Sequence, residues 1–286
     1  MGKKTKKKND ISEITNEKLD SIRNELFFGY QHNWHKHKDE RTRFILKSRL
    51  IGATYYFAWE AFEDAVLTGD NQVFLSASRK QADVFKAYII KFAQEYFDIE
   101  LKVVEERRAL GCVTRCVYCQ SKPSNKDCED CGTEINDVIE LKKDGKPWAE
   151  LRFVSTVKDY YGHLYIDEVF WIPDFEKRSK VATASQKRWR ETYFSTPSVK
   201  NHGAFPLWSG EKFNKDRKNK VEFDLKHETL KHGFTGPDNI WRNIVTIVDA
   251  EEQGCDLFDI EQLKIEYTKA VFNNLFMCAF RGHYLM

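Results

Sequence analysis

Residues 44–56, FILKSRLIGATYY, decide how this chain is to be read. An apolar run passes through Lys47, Ser48, Arg49, Leu50, Ile51 and Gly52 into Ala53 and Thr54, where a helix-forming stretch begins. That is the strand-loop-helix layout of a phosphate-binding loop, whose usual pattern is G-x-x-x-x-G-K-[ST]. Lys47 stands at the first glycine and Ala53 at the usual lysine. The chemistry asks for backbone N–H groups at a helix start, one cation near the phosphates and a hydroxyl for Mg2+. Gly52 and the helix start can supply the first, and Thr54 the third. Lys47, whose long stem can fold back over the same phosphates, is the candidate cation. Arg49 is the reserve, unless its guanidinium faces DNA or a neighbouring subunit. The plain alternative is a strand-to-helix turn in an ordinary α/β domain, with both cations solvated.

Outward from the loop, the pattern alternates strand and helix. RTRFILKS predicts a strand at Arg41–Lys47, and Tyr55, Ala58, Phe62 and Val66 recur at the spacing of one helix face, ending at the Gly69 turn. QVFLSAS predicts a second strand from Gln72. Val84, Tyr88, Ile89 and Phe92 mark the inner face of a second helix. Such βαβ units imply an α/β fold on a mostly parallel sheet. After a cysteine-rich break, Val138–Leu141 and Trp148–Phe153 read as a hairpin turning at Asp144–Gly145. GHLYIDEVFWI and ETYFSTPS supply two more strands that close the sheet, and Asp259–Phe280 reads as helical.

LYIDE, residues 164–168, is an apolar strand ending in two carboxylates. Asp167 at its tip can hold Mg2+, and Glu168 can orient and deprotonate an attacking water. The bland reading is a solvated loop start. Upstream, Gln31 lies in the aromatic FFGYQHNW, where an amide can read both edges of adenine. YFSTPS puts Ser195 and Thr196 at a strand end, where hydroxyls can sense a γ-phosphate. A surface glutamine and a polar strand terminus are the alternatives.

Together, GYQHNW, ILKSRLIGATYYFAWEA, NQVFLSASRKQADVFKAYI, YYGHLYIDEVFWI, YFSTPS and WSGEKFNKDR resemble the ATPase subunit of tailed-phage terminases of the phage P2 type, over nearly the whole chain. The resemblance implies an ASCE-type P-loop NTPase that uses ATP and Mg2+ to thread double-stranded DNA into a procapsid. It implies a portal protein and a small terminase subunit as partners, and a homo-oligomeric ring. It makes Lys47 a phosphate lysine shifted to the loop's start, Gln31 the adenine contact, Asp167 with Glu168 the Walker B pair, and Ser195–Thr196 the coupling segment. Arg79 and Arg178 are candidate arginine fingers. Large terminases continue into an RNase H-like nuclease, whereas NNLFMCAF is followed only by Arg281, Gly282, His283 and three further residues, so no nuclease domain is expected here.

The insert CVYCQSKPSNKDCEDCG carries Cys116, Cys119, Cys128 and Cys131 as C-x2-C-x8-C-x2-C, the spacing of a closed tetrahedral zinc site. It reads as a small zinc-ribbon-like staple or, with Arg107, Arg108, Arg115, Lys122 and Lys126 nearby, a contact for DNA or portal. Cys112, Cys255 and Cys278 read as ordinary thiols. His32, His35 and His37 mimic a metal site, but their basic neighbours point to solvated or phosphate-facing rings.

Of 286 residues, 41% are hydrophobic and 14% aromatic, which excludes a disordered chain. Seven cysteines, an odd number, argue against a disulfide framework. Net charge is only +2, but residues 3–9, KKTKKKN, form a basic arm able to attract nucleic-acid phosphate. No apolar run of roughly 18 residues occurs, so a cytoplasmic protein off the membrane is expected; the terminase resemblance implies work in the host cell at the procapsid portal. The expected division is a disordered tail at 1–20, an ATPase core at 21–232 with the four-cysteine insert at 105–137, and a helical linker at 233–286. Two other readings fit the same residues: a catalytically silent DNA-binding or assembly protein, and a helicase-like ATPase.

Overall fold

The computed structural model describes residues 9–76, 79–109, 133–154, 161–173, 175 and 189–281. The architecture is a nine-stranded sheet with helices on its faces. The strands are β1 (Thr42–Lys47), β2 (Gln72–Leu75), β3 (Val103–Ala109), β4 (Thr133–Lys143), β5 (Lys146–Val154), β6 (His163–Asp167), β7 (Glu191–Ser195), β8 (Phe234–Thr235) and β9 (Ile240–Val245). They lie side by side in the order β3-β4-β5-β2-β6-β7-β1-β9-β8. From β5 to β9 every neighbouring pair is parallel. Antiparallel pairing is confined to the β3-β4-β5 end and to β8 on β9. The hairpin turns at Asp144 (φ 53°) and Gly145 (φ 72°), the doubly left-handed pair a two-residue I′ turn requires.

Alternation along the strands builds two cores. Ile45, Phe74, Tyr165 and Phe194 face α3 (Ala53–Thr68) and α4 (Arg79–Phe97). Phe44, Leu46, Leu75, Ile166 and Tyr193 face the opposite way, against Phe170, Trp208 and Ile244. The spacing of Tyr55, Ala58, Phe62 and Val66 foretold one inner face for α3, but its burial reaches round almost the whole helix, from Ala53 to Val66. The reason is a second roof: α1 (Asn16–Leu26), α2 (Gly29–Lys36) and α4 cover it, with Trp34 stacked on Phe57 at 5.2 Å and Tyr55 edge-on to Tyr88 and Phe92. Its buried acids are paired rather than solvated. Glu60 meets the Arg43 guanidinium and accepts from Tyr56 (2.7 Å) and Tyr165 (3.2 Å), Glu63 pairs with Arg23, and Asp64 with Arg190 at 2.5 Å.

Four expectations need correction. The inner face of α4 is Ala82, Phe85, Ile89, Phe92 and Ala93, while Val84 is 41% exposed, because helical rotation carries it off that stripe. The chain is ordered well before residue 20: Asn9 exchanges backbone and side-chain bonds with Glu140, Lys142 and Lys102, Ile11 is buried, and α1 starts at Asn16. The two strands read as closing the sheet are interior, β6 between β2 and β7 and β7 between β6 and β1, and a further strand, β9, pairs in parallel with β1 and brings the segment after residue 232 into the core. Finally, Asp259–Phe280 is two short helices, Ile260–Glu266 and Lys269–Leu275. Among the described residues, no helix is long and apolar enough to cross a membrane.

Candidate functional site

The carboxyl ends of parallel strands are where an open α/β sheet leaves a crevice for ligands. Here the tips of β1, β6 and β7 meet the start of α3. The loop from Ser48 to Gly52 is pinned from behind. Ser48 N–H donates to Val245 O (2.8 Å) and Arg49 N–H to Leu275 O (2.9 Å). Ile51 O accepts from Tyr30 OH (2.6 Å) and from Gln31 Nε2 (3.3 Å). Leu50 and Gly52 take left-handed φ of 65° and 66°. At Gly52 any side chain would be strained, and a Cβ would also stand 3.3 Å from Gln31 Nε2. With the Ile51 carbonyl turned into the protein, the N–H groups opening α3, which no helix can satisfy internally, are left to face an anion.

The acidic pair arrives across this loop. Lys47 Nζ lies 2.6 Å from Glu168 Oε1. Glu168 Oε2 accepts from Thr196 N–H (3.0 Å) and Thr196 Oγ1 (2.9 Å), and Ser195 Oγ is 3.2 Å away. Glu168 itself sits at φ 51°, a left-handed conformation costing about 1–2 kcal/mol for a residue with a Cβ. Trp171 Nε1 donates to Thr196 Oγ1 at 2.9 Å and Phe170 N–H to Ser195 Oγ at 3.2 Å, so the hydroxyls that hold Glu168 are themselves held. Thr54 Oγ1 donates to Asp167 Oδ2 at 3.3 Å, whereas Asp167 Oδ1 is buried with no hydrogen-bond partner.

The electrostatics are uneven. Burial pulls the Lys47 ammonium down, but Glu168 and then Asp167 outweigh it and leave the pKa above its ordinary value. Burial pushes Glu168 up, and Lys47 together with the Thr196 donors reverses this, holding it below the usual carboxylate range. Asp167 goes the other way: burial raises it, Lys47 opposes, and the Glu168 charge adds to the rise, to about 7. An orphaned carboxylate oxygen beside a threonine hydroxyl, with its proton held unusually firmly, is a donor set that suits a hard divalent cation. Among the described residues no group of three or more His, Cys, Asp or Glu gathers as a metal site. Mg2+ does not need one, because it binds through one or two carboxylates plus waters and phosphates.

The residues named from sequence fall into three groups. Lys47, Thr54, Asp167, Glu168, Ser195 and Thr196 converge. Ser48 and Ala53 are buried within the loop's frame, Arg49 is exposed on its outside, and Gln31 lies behind it, its amide oxygen accepting from Phe28 N–H at 3.0 Å. Cys116, Cys119, Cys128, Cys131, Cys112 and Arg178 lie outside the described residues, as does the side chain of Arg79. Cys255 and Cys278 are free, buried thiols. Of the histidines read as solvated or phosphate-facing, His35 is packed against Glu63, whereas His37 stacks on Trp241 at 4.5 Å and keeps its side chain 34% exposed. Sequence reasoning missed Tyr30, whose aromatic neighbours drew attention to Gln31 alone. It also missed the segment from Asn274 to Arg281. There Asn274, buried, donates to Pro197 O (3.0 Å) and Ala279 O (2.8 Å), tying the stretch after Thr196 to the segment that holds Arg49.

Residues 44–282 match the family described as terminase large subunit, T4likevirus-type, N-terminal. The chain is 43% identical, over 98% of its own length, to the terminase ATPase subunit of Escherichia phage P2, and 43% identical, over 96%, to the probable terminase ATPase subunit of Haemophilus phage HP1. It spans 43% and 41% of the lengths of those two relatives. Among solved structures, the Thermus phage P74-26 large terminase ATPase domain shares the fold with a TM-score of 0.53 at 12% identity, covering 87% of this chain and 92% of that one. The large terminase of another thermophilic bacteriophage, in complex with ADP, gives 0.51 at 12% identity over 88% of this chain and 53% of that one.

Proposed function

The chain belongs to the terminase large-subunit family, and from that premise we propose that its strand-tip site binds ATP with Mg2+ and hydrolyses it to move double-stranded DNA into a procapsid. One observation carries this reading: a loop cation, a helix-start hydroxyl, two carboxylates and a hydroxyl pair from four separate segments meet at the ends of three parallel strands. Thr54 and Asp167 hold Mg2+, which when bound supplies positive charge to the phosphate oxygens. Lys47 leaves the Glu168 carboxylate and neutralises the charge that builds on the phosphates during transfer. Glu168, freed, accepts a proton from the attacking water. Ser195 and Thr196 aim it, and Gln31 supports the loop next to the adenine subsite. Arg79 or Arg178 completes the charge balance as a finger.

The same reading carries the rest of the expected machinery: a ring of copies, a small terminase subunit, a portal protein, and work in the host cytoplasm. Cys116, Cys119, Cys128 and Cys131 hold a structural Zn2+ by virtue of their paired C-x2-C spacing.

The test is Glu168→Gln, which keeps the side chain's size and removes the base. ATP binding persists while turnover, measured with DNA and a small terminase subunit present, drops by roughly 10²–10⁴-fold. Undiminished turnover in that variant, or none in the parent chain, overturns the assignment. Turnover accompanied by strand separation rather than packaging favours the helicase-like reading.

A further inference from the structure

β2 and β6 run parallel with Phe74 opposite Tyr165 and Leu75 opposite Ile166. Phe74 and Tyr165 stack at 5.4 Å in the core beneath α3 and α4, whereas Leu75 and Ile166 belong to the core on the other face. One step further along each strand, alternation returns both chains to the α3–α4 side. The residues there are Ser76 and Asp167, on neighbouring strand tips. Thr54, the second residue of α3, already reaches Asp167 on this side. Ser76 and Asp167 are each 3% exposed, and both Ser76 Oγ and Asp167 Oδ1 are buried without a hydrogen-bond partner. Buried polar atoms are almost always satisfied, so two orphans at adjacent strand tips mark a place meant for something polar that both can reach.

We propose that Ser76 is a positioning residue of the metal site: its hydroxyl oxygen accepts a hydrogen bond from a water in the shell of the Mg2+ held at Asp167. A metal-bound water is a strengthened donor and a serine oxygen is a competent acceptor, so the hydroxyl fixes the ion's orientation without touching it. This deepens the proposed function and rests on the reading of Thr54 and Asp167 as the metal-holding pair. No phosphate-loop or acidic-pair pattern includes Ser76; only strand register and burial single it out.

The experiment follows Mn2+, a paramagnetic stand-in for Mg2+, by electron paramagnetic resonance in the full chain saturated with a non-hydrolysable ATP analogue. Ser76→Ala weakens Mn2+ binding about 10-fold, in the range for loss of an outer-shell partner, and Ser76→Thr recovers most of it. Analogue affinity without divalent ion stays unchanged. Because an unpartnered hydroxyl contributes nothing to the empty fold, the metal-free Ser76→Ala chain melts at or above the parent temperature. Unchanged Mn2+ affinity in Ser76→Ala, or a clear drop in its melting temperature showing the hydroxyl spent on the fold, overturns the inference. Asp167→Asn, run alongside, separates the two layers. If it too binds Mn2+ like the parent, the metal-pair reading falls and the inference with it; if it loses Mn2+ while Ser76→Ala does not, only the inference falls.

Discussion

Lys47 and Arg49 are two cations on one loop with opposite fates. Lys47 continues the inward face of β1 and lands on Glu168, while Arg49, beyond the strand, is exposed. Lys47→Ala therefore lowers ATP turnover by roughly 10²–10³-fold, the scale of removing one preorganised charge partner, and Arg49→Ala leaves most of it, as a coupled-enzyme assay reads. A lethal Arg49→Ala beside a tolerated Lys47→Ala assigns the phosphate cation to the wrong residue. His35 carries the pH prediction. Burial lowers its pKa to about 4, with Lys38 and Arg23 adding to the fall. Unfolded, the imidazole takes a proton below about 6.5. Folded, it refuses one until about 4, so stability falls as pH drops through that window. Urea midpoints measured at pH 7.5 and pH 5 separate less in His35→Gln than in the parent chain.

The elements show which parts of the molecule the sequence could disclose. β1, α3 and β6 announce themselves because their apolar periods are clean and because Lys47, Gly52, Thr54, Asp167 and Glu168 stand at the spacing a phosphate site asks for. β9 does not, since IWRNIV carries Arg242 and Asn243 in its middle and so reads as surface. In the fold Arg242 pairs with Asp238 and donates to Leu207 O and Trp208 O, while Asn243 accepts from Trp34 and donates to Leu230 O. Long-range partners of this kind leave no trace in a local pattern. The same blindness hid the charges in α3. Glu60, buried on that helix, would be pushed up by burial, but Arg43 on β1 outweighs this and holds it ionised. Glu60→Leu strands Arg43 inside the protein and costs about 3–5 kcal/mol in urea unfolding. Adding Arg43→Met restores much of that loss, because an apolar pair replaces a buried charge.

At the scale of the whole molecule, the loop from Ser48 to Gly52 has no frame of its own. β1 is flanked by β7 and β9, Ser48 hangs from Val245, and Arg49 from Leu275. A chain stopped after Lys231 keeps every residue of the loop and the acidic pair yet lacks β9, so it fails to bind a fluorescent ATP analogue that the full chain binds. Binding of equal strength by the shortened chain assigns β9 no part in framing the loop. This arrangement also imposes an order in time. A ribosome delivers Lys47 roughly 10–40 s before it delivers Val245, at about 5–20 residues per second. Only once Thr196 has followed does the nascent chain carry every residue of the proposed site, and until Val245 arrives it still lacks the strand that frames the loop; on the proposed reading, ATP binding waits for β9.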